Sequence, residues 1–319
     1  MQRYPLKLIP AVKEIIWGGD KLKKFYNKKA DFDKLAESWE LTVRPDGMSV
    51  IGNGEYAGME LGEYIEKAGM DVIAKGYDGD RFPLLIKFID ARDSLSIQVH
   101  PNDEYSLPHE NEYGKTEIWY IVEAEEGAEL VFGLTEDYTP EAFDKAIAEN
   151  NVESLLGRVK VHPGEVYFIP AGLVHAIGAG TLICEIQQNS NVTYRVYDYG
   201  RLGKDGKPRE LHVEKAKEAI INHRPEDVER LRFAAAKERT PTLLASCDKF
   251  NLNRYEFTEQ TLTADETSFL SLTFIEGSGV IEANGASYPF DKGDTYYIPA
   301  GMGEFSMKST GAVCIAASL

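Results

Sequence analysis

Cysteine is scarce in this chain of 319 residues. Its three cysteines, Cys184, Cys247 and Cys314, are far apart and odd in number, which excludes a disulfide framework and any thiolate zinc or redox motif. Each stands in or near an apolar run and reads as a buried thiol. Basic residues are also in deficit: 35 Lys and Arg against 52 Asp and Glu leave a net charge of -17. A phosphate backbone needs a basic face, so a nucleic-acid partner is excluded, and an anionic substrate would need a local basic pocket. No apolar run approaches the ~20 residues of a membrane span. The opening Met1-Gln2-Arg3-Tyr4-Pro5-Leu6-Lys7 lacks the apolar centre of a signal peptide. A soluble cytoplasmic protein that binds neither nucleic acid nor membrane is expected.

Against these absences stands one set of side chains. Gln98 and His100 are two apart in Ile97-Gln98-Val99-His100-Pro101, Glu117 follows Lys115-Thr116, and His175 closes Pro170-Ala171-Gly172-Leu173-Val174-His175. Residues two apart on a strand point to one face, so Gln98 and His100 can reach one point. Glu117 and His175 lie in further apolar, aromatic-rich runs that read as strands. Two imidazoles, a carboxylate and an amide oxygen suit zinc, and also other divalent first-row ions. A site without thiolates, with room for water or substrate, reads as catalytic.

The chain also repeats itself. Gly164-Glu165-Val166-Tyr167-Phe168-Ile169-Pro170-Ala171-Gly172 recurs as Gly293-Asp294-Thr295-Tyr296-Tyr297-Ile298-Pro299-Ala300-Gly301. Upstream, Trp119-Tyr120-Ile121-Val122-Glu123-Ala124 aligns with Leu272-Thr273-Phe274-Ile275-Glu276-Gly277. In that register Leu270 stands for Glu117 and Glu304 for His175, so the second copy has lost its ligands. Two related β-barrel units follow, 1–235 and 236–319, the second without a metal site and with Glu304 at its surface or rim. Edges left by a short second barrel would pack on the first barrel or on another subunit. A monomer or weak homodimer is expected.

Helical spacing marks Met59 to Ala74 and Val213 to Ile221. Thr139-Pro140 is a helix start, Thr as N-cap and Pro at the first helical position. Arg201 to Arg209 reads as a basic loop, and about Arg224 to Pro241 as the connection between the halves. Of the other histidines, His109, in a polar loop between His100 and Glu117, is the one expected nearest the site.

Glycines at strand ends, Pro-x-Gly turns and a closing His resemble the cupin pattern. More narrowly, the chain resembles type I mannose-6-phosphate isomerases. The matching blocks are Ser94-Leu95-Ser96-Ile97-Gln98-Val99-His100-Pro101, Gly114-Lys115-Thr116-Glu117, Ile169 to Ala176, and Asn191-Val192-Thr193-Tyr194-Arg195-Val196-Tyr197-Asp198. Ile16-Trp17-Gly18-Gly19 and Glu37-Ser38-Trp39-Glu40 match the family's N-terminal segment. The resemblance implies a mainly β fold with helical insertions and two cupin (jelly-roll β-barrel) units, the second degenerate and metal-free. It implies one Zn2+ per chain on Gln98, His100, Glu117 and His175. It also implies interconversion of mannose 6-phosphate and fructose 6-phosphate through a cis-enediol, with a sugar phosphate as partner.

Within that resemblance Arg195 is the candidate for stabilising the oxyanion; on residues alone it could pair with Asp198 or sit in solvent. Glu185, in Thr181-Leu182-Ile183-Cys184-Glu185-Ile186, matches an acidic position of the family's site. Desolvation in an apolar strand would suit it as a base, while an outward-facing carboxylate is the plainer reading of the strand alone. Ser96 and Lys115 match phosphate-contacting positions, and Lys115, two before Glu117, would face the same cavity; otherwise Lys115 and Glu117 make a surface pair. Arg201 and Lys204 could add charge at the mouth or be solvated loop. Two other functions fit a metal cupin: an iron-dependent oxygenase using the two-His-one-carboxylate set, and a non-catalytic sugar-phosphate binder.

Overall fold

Two strands, Leu84–Ala91 and Thr181–Gln188, are buried along their whole length. Strands covered on both faces carry near-continuous apolar runs, and these two are pressed between two barrels. Leu182, Cys184 and Ile186 face the seam with the second unit, among Phe269, Tyr297 and Ile315. Ile183 faces the other way, into the first barrel with Trp119, Phe132 and Tyr167. Alternation along the strand therefore puts Glu185 on the inner face.

A computed structural model describes residues 1–203, 206–221, 232–234 and 242–319. Lys204, His223 and most of the expected connection from Arg224 to Pro241 lie outside the described residues. The first unit is an antiparallel sandwich. One sheet runs Arg232–Ala234, Glu165–Ile169, Glu117–Ala124, Thr181–Gln188, Leu84–Ala91, Glu37–Leu41, Ala11–Lys13. The opposing sheet runs Leu156–Lys160, Glu129–Leu134, His175–Ile177, Ile97–Val99, Tyr194–Tyr197. The second unit contributes seven strands to a nine-stranded sheet, completed by Leu6–Ile9 and Val50–Ile51, and has its own core of Leu272, Phe274, Phe290, Tyr296 and Phe305.

The repeat holds down to strand register. Ile169 lies opposite Glu117 and Val166 opposite Tyr120, and in the second unit Ile298 lies opposite Leu270 and Thr295 opposite Thr273. Glu304 is exposed, on the strand Gly303–Ser318. The units are also stitched together. Leu6–Ile9, at the N-terminus, pairs with Thr295–Ile298 of the second unit, on the flank that Arg232–Ala234 occupies in the first.

Thr139 caps the helix Pro140–Ala148, its hydroxyl accepting from the Ala142 amide at 3.2 Å. The helix expected over Met59–Ala74 covers only Leu61–Ala68. Gly69, at φ 87, ends it, and a 3-10 turn Met70–Val72 follows. The helix expected over Val213–Ile221 spans Val213–Ala219. A further helix, Asp103–Glu110, forms where a polar loop was expected, despite Pro108. Asn102 caps it by accepting from the Tyr105 amide at 2.9 Å. Among the described residues no helix is long and apolar enough to cross a membrane.

Candidate metal centre and its cavity

Sheet register assembles the site from both walls of the first barrel. On the five-stranded wall, Phe132, His175, Gln98 and Arg195 stand opposite one another across four strands. On the seven-stranded wall, Trp39, Lys87, Glu185, Trp119 and Tyr167 form a second row across five. Glu117 lies two residues from Trp119 on the same face, and Glu117 meets His100 between the walls.

His100, Glu117 and His175 are buried, with ligand atoms all within 4.8 Å of one another. His100 Nδ1 is 2.9 Å from the Val192 carbonyl and His175 Nδ1 2.9 Å from that of Leu173. Each carbonyl accepts a hydrogen bond from the Nδ1–H, which leaves the Nε2 lone pair for the cluster. Burial, first, holds both imidazoles below their ordinary pKa, the neutral state a metal requires. Burial works to raise the Glu117 carboxyl, but the charge of Lys115 beside it holds it below its ordinary value. Glu117 Oε1 is buried without an accepted hydrogen bond, 2.8 Å from His100 Nε2 and 2.5 Å from Lys115 Nζ. The Gln98 amide lies 3.4 Å from His175 Nε2 through its nitrogen; a half-turn of the amide would present oxygen instead. A deprotonated carboxylate, two oriented imidazoles and an adjacent amide are the donor set of a divalent nitrogen and oxygen site, so the residues fit a metal.

Above the trio opens a cavity of about 550 Å³, lined by Ser96, Gln98, Lys115, Glu185 and Arg195. Lys115 is buried against Glu117 and 3.3 Å from His100 Nε2, so it is not half of a surface pair. Glu185 is buried rather than outward-facing. It lies 3.2 Å from Lys87 Nζ and accepts from the Trp119 indole at 3.0 Å. Arg195 does not pair with Asp198: its Nε is 3.3 Å from the Ser96 hydroxyl and its Nη1 donates to the Glu210 carbonyl. Asp198 is held by Arg201 and Arg209.

Sequence reasoning missed Lys87, Trp39 and Arg209, which also line the cavity. Lys87 carries its own signal, a lone cation inside Leu84-Leu85-Ile86-Lys87-Phe88-Ile89. From the basic loop Arg209 reaches the cavity, whereas Arg201 does not line it. His109 does not join the site either. It is exposed and stacks on Tyr105, ring centroids 4.3 Å apart. Its helix turns it away.

The two-walled barrel with imidazoles and a carboxylate gathered inside defines a metal-site cupin. Residues 6–145 match the family "Phosphomannose isomerase type I, catalytic domain", and residues 240–317 match "Mannose-6-phosphate isomerase, cupin domain". The chain is similar to the mannose-6-phosphate isomerase ManA of Bacillus subtilis, 39% identical over 320 residues covering 100% of each. It is also similar to the mannose-6-phosphate isomerase of Streptococcus mutans, 34% identical and covering 92% of each. The crystal structure of the mannose 6-phosphate isomerase from Bacillus subtilis superposes with a TM-score of 0.89 at 36% identity, covering 100% of both chains. This chain belongs to the type I phosphomannose isomerase family.

Proposed function

We propose that this protein interconverts mannose 6-phosphate and fructose 6-phosphate, moving a proton between C1 and C2 through a cis-enediol. One observation carries the reading. The buried cluster of His100, Glu117 and His175 sits beside a cavity whose walls bear Lys13, Lys87, Lys115, Arg195 and Arg209 against Glu14, Glu37, Asp46 and Glu185, in a chain whose net charge is -17. Cations gathered in one cavity, locally outnumbering acids, are what an anionic sugar needs in an acidic protein.

Gln98, His100, Glu117 and His175 would hold one zinc ion per chain. Bound there, zinc supplies electrostatic support and orients substrate, directly or through water. Glu185 is the candidate base, fixed by Lys87 on one oxygen and Trp119 on the other. Arg195 supports the enediolate oxygen with donors held in place by Ser96 and the Glu210 carbonyl. Ser96, Lys115 and Arg209 offer the phosphate a hydroxyl and two cations. In this reading residues 1–235 carry the chemistry and 236–319 brace the seam-facing sheet.

The test is a coupled assay for fructose 6-phosphate formation, before and after chelation and with zinc returned. Activity that vanishes and comes back with zinc is expected. Metal-replete protein without isomerase activity that consumes oxygen would replace this reading with an oxygenase. Arg195→Ala is expected to keep metal and near-normal KM while kcat falls roughly 100-fold or more. Normal turnover in that variant would remove Arg195 from the oxyanion role.

A further inference from the structure

Trp119 Nε1 lies 2.7 Å from Glu117 Oε2 and 3.0 Å from Glu185 Oε2. One buried N–H is thus shared by two buried carboxylates, one belonging to the metal cluster and the other to the cavity wall. The outer oxygens face cations: Glu117 Oε1 meets Lys115 at 2.5 Å, and Glu185 Oε1 meets Lys87 at 3.2 Å. A continuous path therefore runs from Lys115 through Glu117, Trp119 and Glu185 to Lys87, with a cation at each end and the neutral indole between the two carboxylates. Without that donor, two like charges would face each other in a site of low dielectric.

The second unit supplies an internal control. Across its equivalent strands the row Glu185, Trp119, Tyr167 becomes Ala316, Leu272, Tyr296, and Leu270 stands for Glu117. The tyrosine persists as barrel core. The indole is absent together with both carboxylates, although a tryptophan serving only as packing could have stayed.

We propose that Trp119 is a positioning residue whose indole N–H locks the metal-binding carboxylate of Glu117 and the cavity carboxylate of Glu185 into one rigid unit. This rests on the isomerase reading above, with Glu117 as ligand and Glu185 acting at carbon. Trp119 acts through them and does not touch the reacting atoms. Ring edge contact with His175, centroids 5.4 Å apart at 74°, fixes the indole plane relative to a further ligand.

The test replaces Trp119 in the full chain with 3-benzothienylalanine, which keeps the ring shape but puts sulfur where the N–H was; Trp119→Phe is made alongside. Zinc affinity is read by competition with a chromophoric chelator, and kcat and KM are read on zinc-saturated protein. The isostere is expected to melt like the parent, bind zinc roughly 10–100-fold more weakly, and lose kcat at unchanged KM. Glu185→Gln should also weaken zinc binding in the parent, and this effect should disappear in the isostere because its link is gone. Unchanged zinc affinity and kcat in the isostere would overturn the inference, as would loss of both only alongside loss of the fold. A parent that binds no zinc or shows no isomerase activity would instead overturn the functional reading, and this inference with it.

Discussion

His175→Ala is expected to lose bound zinc and isomerase activity together, with losses beyond the roughly 10–100-fold that follow disruption of groups outside the ligand shell. The reason is how completely this ring is fixed. It is buried, its Nδ1 is tied to the Leu173 carbonyl, and its face is set by the Trp119 edge. The turn that delivers it is tied to another ligand, because the Gly172 amide donates to the His100 carbonyl at 2.8 Å. Gly172 sits at φ +89, and a Cβ there would come within 2.6 Å of the Ile221 side chain, so that turn tolerates no side chain. The two imidazoles are thus presented by two segments joined by a backbone hydrogen bond. His175→Gln, which keeps a polar side chain at the position, should retain the fold and show the same metal loss. Metal content after dialysis, measured beside the coupled assay, decides the matter; full activity in metal-depleted His175→Ala would sink the proposed centre.

Lys28→Met should be the most destabilising single change at the seam, by about 3–5 kcal/mol. Lys28 and Glu40 form an ion pair at 2.7 Å with side chains 6% and 0% exposed. Lys28 also donates to the Gly293 carbonyl of the second unit at 2.5 Å, and Glu40 accepts from the Ser38 hydroxyl at 2.6 Å. Removing the ammonium strands the Glu40 charge in a dry interior and strips the Gly293 carbonyl of its donor. The double variant Lys28→Met with Glu40→Met should recover much of the loss, since the cost lies in the uncompensated charge. Urea unfolding followed by fluorescence reads the first unit, because Trp17, Trp39 and Trp119 are the chain's three tryptophans. Circular dichroism follows both units. A single-variant loss below about 1 kcal/mol would mean that the seam does not depend on this pair.

The residues themselves determined whatever depends on short-range spacing. Gln98 and His100 share a face because a strand repeats every two residues, Thr139 and Pro140 start a helix by local hydrogen bonding, and the Gly-to-Pro-Ala-Gly repeat aligns strands whose registers agree. Only the tertiary structure decided which face of a strand buried on both sides looks inward. Thr181–Gln188 and Leu84–Ala91 are covered on both faces, so their few polar residues do not mark a solvent side. The inward placement of Glu185 and Lys87, and their pairing, comes from sheet register between segments nearly a hundred residues apart. The same holds for Leu6–Ile9, whose partner strand lies at the far end of the chain. Periodicity belongs to a strand by itself, whereas its partner and its inner face are set by what packs against it.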